Sequence, residues 1–347
     1  MHATPHAVLP PIPTASTRGG AVGDDSPRWQ RELARAIRDP SELCRLLGLD
    51  PALAANAPSG FPLLAPRPFV ARMERGNPRD PLLLQVLPVA AEGTDLPGFT
   101  ADPLNEAAAL AAPGLVQKYA GRALVLVSGA CAVHCRYCFR REFPYADNGA
   151  TRAGTAAAIA AIAADPSLSE AILSGGDPLM ADDVRLAELI QRLDAIPHLR
   201  RLRIHTRLPI VLPERVTDEL VATLAATRLA CVVVVHANHA AELDDGVAAA
   251  VRRLAAAPAI VLNQAVLLAG VNDSFAALRG LSERLVEIGV APYYLHLLDR
   301  VRGAAHFEVA EARALELHRQ LRDTLPGYAV PRLARELPGE PAKVWLA

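Results

Sequence analysis

The sequence predicts an α/β protein, a partial (β/α)6 barrel preceded by a helical extension, and three observations carry that expectation. Six short β-rich runs recur from residue 123 onward: "ALVLV" (123–127), "EAILSG" (170–175), "RLRIHT" (201–206), "CVVVVH" (231–236), "AIVLNQ" (259–264) and "YYLHLL" (293–298). Ala/Leu/Arg/Glu-rich stretches of helical character, such as "ADDVRLAELIQRLDAI" and "ERVTDELVATLAAT", lie between them. The later runs start about 30 residues apart, the length of a βα unit. Six parallel units of this kind make a partial or full barrel, with a flat doubly wound sheet as the alternative.

Taken in order, residues 1–28 are rich in Pro, Ala and Thr and read as a disordered tail. They lack a basic segment followed by an apolar one, so they do not read as a secretory signal. Residues 29–113 read as an N-terminal helical extension that is not an independent domain. Within it, "RWQRELARAIRDPSELCRLLGL" carries apolar residues at helix spacing, with Ser41 as the expected N-cap of a second helix. Residues 114–347 form the expected barrel and its C-terminal segment.

Polar groups collect at the C-terminal ends of the six strands. A cysteine-rich loop follows the first, "SGGDPL" closes the second, and His205 and Arg207 end the third. His236 and Asn238 end the fourth, Asn263 and Gln264 the fifth, and His296 and Asp299 the sixth. In a β/α barrel these ends form the mouth where sites are built.

Composition excludes several classes. The formal net charge is −1 over 347 residues, which argues against a broad surface for nucleic acid. No run approaches the ~20 apolar residues of a membrane span, and a cytoplasmic location follows. Five cysteines, three of them clustered, fit a reduced compartment and a metal site better than a disulfide framework. Lysine occurs only at 118 and 343, while the other 34 basic residues are arginine. A lysine retained in such a background is a candidate for amine chemistry, because arginine does not lose its proton near neutral pH.

Cys131, Cys135 and Cys138 stand at C-x3-C-x2-C spacing in "CAVHCRYCFRREFPY". Structural zinc sites are closed and four-coordinate, and no second Cys/His pair lies at zinc-finger spacing. Cys44 and Cys231 are isolated, and Cys231 leads a strand where a thiol serves as a small apolar filler. A [4Fe–4S] cluster takes four thiolates; three leave one iron open to a substrate or cofactor. This spacing, with Tyr137 just before the last cysteine, resembles the signature of the radical S-adenosylmethionine (SAM) enzymes, whose fold is a partial βα barrel. In that family a Gly-rich stretch after strand two contacts the amino group of SAM. Ser174, Gly175, Gly176 and Asp177 stand in that place.

The chain further resembles the lysine 2,3-aminomutases, and within them the short bacterial EpmB type. The likeness runs from about residue 29 to 343, through "RMERGNPRDPLLLQVLP", "PGLVQKYAGRALVLVSGACAVHCRYCFRREFPYA", "RLRIHTRLPIVLPER", "LNQAVLLAGVND", "PYYLHLLDRVRGAAHF" and "VPRLARELPGEPAK". The resemblance implies a [4Fe–4S] cluster on the three cysteines, SAM, and pyridoxal phosphate (PLP) carried on Lys343. It implies Lys118, Tyr119 and Arg122 near the PLP phosphate, Gln264 and His296 in the cofactor-binding set, and Arg140 on the carboxylate of free L-lysine. Asp299 and Glu336 take its distal ammonium, Glu336 standing where the clostridial enzymes carry Asp. The implied reaction exchanges the α-amino group of lysine with a hydrogen on C3, and the β-lysine serves modification of elongation factor P by its lysyl ligase. An external flavodoxin- or ferredoxin-type protein supplies the electron. An aminomutase acting on glutamate or arginine, and a non-catalytic Fe–S electron carrier, are the alternatives.

Overall fold

The computed structural model describes residues 26–257 and 259–347. Residues 1–25 of the expected tail lie outside the described residues, and helix α1 (Arg28–Ala34) begins at the tail's last position. The second helix, α2 (Pro40–Leu47), is capped by Asp39 and not by Ser41. Asp39 accepts from the Ser41 amide at 2.9 Å, and Pro40 takes the first helical position. An Asp-Pro pair suits a helix start, since proline has no amide to leave free at the first position and the carboxylate satisfies the one that follows. Two short helices complete the extension, α3 (Arg67–Val70) and α4 (Pro81–Leu84).

The sheet has ten strands in chain order. β1 (Leu110–Ala112), β2 (Leu115–Tyr119) and β3 (Arg122–Ser128) form an antiparallel meander. From β3 the chain runs parallel through β4 (Glu170–Gly175), β5 (Arg201–Thr206), β6 (Ala230–Val235), β7 (Ile260–Val266), β8 (Ala291–His296) and β9 (Arg332–Arg335). β10 (Val344–Trp345) turns back antiparallel on β9. Among the described residues β1 and β10 are the two edges of the sheet, so the barrel is partial and open. The six expected strands are β3 to β8, and β9 adds a seventh parallel strand. The expected helical extension reaches into the sheet, since residues 110–112 are β1.

Crossover helices cover the outer face: α5 (Arg152–Ala164), α6 (Asp183–Asp194), the short α7 (Leu208–Val211), α8 (Asp218–Ala226), α9 (Asp245–Ala256), α10 (Phe275–Glu287) and α11 (Glu311–Thr324). Thr151, Asp182, Thr217, Asp244 and Ser274 each accept a backbone amide of the helix they open. One continuous apolar core joins the extension to the barrel. Trp29, Phe69 and Leu82 belong to it together with Val125, Leu173, Val233 and Leu333. Fully covered parallel strands read as unbroken apolar runs, and β4 is buried at all six positions. β5 alternates instead. Leu202 and Ile204 are buried outward, while Arg203 and His205 face the barrel interior. Among the described residues no helix is long and apolar enough to cross a membrane.

Candidate active site

The open barrel encloses a cavity of about 1100 Å³, large enough for more than one small-molecule ligand. Every residue singled out from the sequence as a cofactor, substrate or metal candidate lines it. The thiols of Cys131, Cys135 and Cys138 reach it from the loop after β3, and Ser174 to Asp177 from the end of β4. Lys118, Tyr119 and Arg122 come from the β2–β3 hairpin, Gln264 from β7, and His296 and Asp299 from the end of β8. Arg140, Glu336 and Lys343 complete the wall. Lys343 reaches it because β10 folds the C-terminal segment back along β9, with Val344 opposite Arg335.

Other strand-end polar residues are used in holding the barrel. Asn263 exchanges two hydrogen bonds with the backbone of Ala237, at 2.8 and 3.0 Å. Asn238 donates to Tyr137 Oη at 2.7 Å and Gln85 Oε1 at 2.9 Å, and accepts from the Val266 amide. Cys44 and Cys231 are buried in the core, away from the cavity.

Among the described residues no three His, Cys, Asp or Glu side chains gather closely enough to share one ion. Cys131, Cys135 and Cys138 line the same cavity, and in a polynuclear iron–sulfur cluster each such sulfur binds its own iron. The loop that carries them is braced from the extension. Glu92, with no exposed side-chain surface, pairs with Arg136 and with Arg141. Both guanidinium groups lie 4.7 Å from the Phe61 ring centre.

The two glycines after β4 serve this loop first. A Cβ on Gly175, whose φ is +121°, would stand 2.3 Å from Ser128 O. One on Gly176 would stand 2.5 Å from Ala130 O and 3.0 Å from Cys131 Sγ. The close approach that glycine permits here is therefore to the cysteine loop itself. Asp177 is similarly occupied, accepting from the amides of Leu179, Arg207 and Leu208 and from Thr206 Oγ1 at 2.7 Å. Burial pushes its carboxyl up to about 6 despite these donors.

A chain of alternating charge runs along the wall. Arg140 lays its Nε and Nη2 against the two oxygens of Glu106 at 2.5 and 2.9 Å, and its Nη1 donates to Ser174 Oγ and Gly175 O. Glu106 also meets Lys118 Nζ at 2.8 Å, Lys118 meets Glu336 at 2.7 Å, and Glu336 meets Lys343 at 2.9 Å. Burial alone would raise the Glu336 carboxyl, but Lys343 and Lys118 hold it well below the usual range. Burial opposes Glu106 in the same way, and Arg140 and Lys118 prevail. The Asp299 carboxyl moves oppositely, pushed up to about 7 by burial and by the charge on Glu336. Burial, with Glu336 beside it, also keeps the proton on Tyr119.

Three histidines of the wall are held neutral. Burial lowers His205, His236 and His296, and Lys343 adds to the effect on His296. His236 falls to about 3, and Gln264 Nε2 stands 2.7 Å from its Nε2. The Nε2 of His205 is buried without a hydrogen-bond partner, and an unpaired ring nitrogen in a cavity wall is a place for a polar ligand atom.

Glu106 is a site residue that sequence reading does not reach. Its one local sign is that it is the sole charge in "EAAALAAPGLVQ", and a lone charge in an apolar run is a candidate for a buried pair. Glu142, in the same segment as Arg140 and Arg141, pairs with Arg302 at 3.0 Å at the surface.

Residues 118–200 match a family model described as a 4Fe-4S single cluster domain. The chain is 49% identical to the L-lysine 2,3-aminomutase of Escherichia coli over 319 residues, which is 91% of this chain and 93% of that protein. It is 48% identical to that of Haemophilus influenzae over 322 residues, covering 92% and 95% of the two chains. To the L-lysine 2,3-aminomutase of Bacillus subtilis it is 34% identical over 322 residues, 92% of this chain and 68% of that one.

Proposed function

Because the chain belongs to the L-lysine 2,3-aminomutase family, we propose that it converts free L-lysine to β-lysine using a [4Fe–4S] cluster, SAM and PLP. The observation that carries this reading is a single cavity lined both by three cysteine thiols and by the primary amine of Lys343. When bound, the cluster with SAM supplies hydrogen-atom abstraction by a carbon-centred radical, and the pyridoxal ring supplies delocalisation for the migrating nitrogen.

The protein's own residues hold, orient and keep out water. Cys131, Cys135 and Cys138 hold the cluster and leave one iron free. The backbone of Ser174 to Asp177, tied to the cysteine loop, faces the amino group of SAM. Gln264 and His296 line the same space and complete the cofactor shell. Lys343 carries PLP, and Lys118, Tyr119 and Arg122 surround its phosphate. The chemistry of this donor set fits: a primary amine, two further cations and a protonated phenol share one wall.

Arg140 takes the substrate carboxylate, and because its Nε and Nη2 already lie on Glu106, the substrate must share the guanidinium with Glu106 or displace it. Asp299, with Glu336, takes the distal ammonium; Glu336 is shared with Lys118 and Lys343, so the preference for a cationic side chain over glutamate rests chiefly on Asp299. A flavodoxin- or ferredoxin-type donor supplies the electron in the cytoplasm. The β-lysine feeds the modification of elongation factor P by its lysyl ligase.

The test is anaerobic reconstitution with iron, sulfide and PLP, then incubation with isotopically labelled lysine, SAM and dithionite. Labelled β-lysine is the expected product. Full cluster and PLP content with no β-lysine, or with turnover of glutamate or arginine in its place, would overturn the assignment.

A further inference from the structure

We infer that Arg207, held by Glu242, sets the reduction potential of the cluster by donating a hydrogen bond to Cys135. The inference rests on the assignment of Cys131, Cys135 and Cys138 as cluster ligands and extends it to a pair with no part in binding substrate.

Arg207 directly follows β5, and its position is fixed at both ends. Its backbone amide donates to Asp177 Oδ2 at 2.7 Å. Its Nη2 donates to Gln85 Oε1 at 2.6 Å and to Glu242 Oε2 at 3.0 Å. That leaves Nη1 pointing at Cys135 Sγ, 2.7 Å away. The guanidinium carbon also lies 5.5 Å from the Phe69 ring centre and 5.7 Å from that of Tyr137, and the residue is buried. Glu242 is fully buried. Its Oε1 accepts from the amides of Asn238 and His239 and from Gln85 Nε2, which leaves Oε2 to Arg207.

Reduction adds one electron from the external donor to the cluster and makes or breaks no bond in the protein. The added negative charge spreads onto the cysteine sulfurs. A fixed cation that donates to one of them stabilises the reduced state more than the oxidised one, and so raises the potential. In a poorly polarisable interior that interaction is only weakly screened. Glu242 acts in the opposite sense, because its charge offsets part of the guanidinium's. The two members of the pair should therefore shift the potential in opposite directions when each is neutralised. A merely structural brace gives no such sign difference.

The test is a redox titration of the reconstituted full-length protein, followed by electron paramagnetic resonance of the reduced cluster, with iron and sulfide content measured alongside and no SAM or lysine present. Arg207→Gln should move the midpoint to more negative potential, and Glu242→Gln to more positive potential. Arg207→Lys, which keeps the charge without the fork, should fall between the wild type and Arg207→Gln. If Arg207→Gln holds no cluster, Glu242→Gln decides by its sign. Midpoints unchanged at full cluster content, shifts of the same sign, or loss of the cluster in both variants would overturn the inference. A wild-type protein that assembles no cluster would instead overturn the ligand assignment beneath it.

Discussion

Glu336 accepts from Lys343 Nζ at 2.9 Å, and its other oxygen accepts from Lys118 Nζ at 2.7 Å. One carboxylate thus bridges the only two lysines in the chain. The two are not equivalent. Lys118 lies between two carboxylates, those of Glu106 and Glu336, whereas Lys343 has Glu336 and, at 3.5 Å, the neutral ring of His296. Of the two amines, Lys343 is the easier to release to an incoming ligand.

Lys343→Arg should keep the pairing with Glu336 and lose covalent attachment of PLP, because a guanidinium does not deprotonate near neutral pH. Lys118→Arg should retain attachment and weaken PLP binding. Borohydride reduction followed by peptide mass spectrometry checks both. A pyridoxyl adduct on Lys118 with Lys343 unmodified would reverse the assignment.

Cys131→Ala, Cys135→Ala or Cys138→Ala should each abolish the visible iron–sulfur absorption and the cleavage of SAM. Cys44→Ala and Cys231→Ala should keep both, since these thiols are packed in the core and leave only a small void. Retention of a full cluster by Cys135→Ala, with loss in Cys231→Ala, would overturn the proposed ligand assignment.

Glu106→Ala should be costly to the fold. It leaves the buried Arg140 without its carboxylate and removes one of two partners from Lys118. Losing one member of a buried pair costs about 3–5 kcal/mol, or a fall in Tm on the order of 10 °C for a chain of this size. Glu142→Ala, which opens the exposed pair with Arg302, should cost about 0–1 kcal/mol. Thermal denaturation of the two variants side by side checks the contrast, and equal melting temperatures would count against a buried ladder.

The barrel strands were legible because each is a run of β-branched or alternating residues followed by a turn. β1, β2, β9 and β10 were not, because strands of two to five residues carry too little periodicity. β10 is decisive all the same, since it brings Lys343 to the cavity. The cysteine spacing and the scarcity of lysine were local signals and could be read directly. Glu106, Gln85 and Glu242 were not, because their partners Arg140 and Arg207 lie 34, 122 and 35 residues away respectively. A pair formed across the fold leaves no pattern in either neighbourhood. The N-cap at Asp39 shows a nearer failure: Asp-Pro and Ser stand side by side, and the proline decides between them.

The raised Asp299 carboxyl gives lysine binding a pH dependence with a definite sign. Burial and the charge on Glu336 place its titration at about 7. Below that pH the group is neutral and offers an ammonium no charge. Above it the carboxylate is ionised and attracts one, and a bound ammonium in turn favours the ionised form. Affinity for lysine should therefore rise as pH increases through about 7, with a proton released on binding near the midpoint. Norleucine, which lacks the ammonium, should bind weakly and show no such rise. Asp299→Asn should flatten the dependence and leave lysine affinity near its low-pH value, because an amide cannot balance the charge at any pH. Titration calorimetry in buffers of different ionisation enthalpy reads both the affinity and the proton. A lysine affinity independent of pH between 6 and 8, or an equal rise for norleucine, would remove Asp299 from the ammonium site.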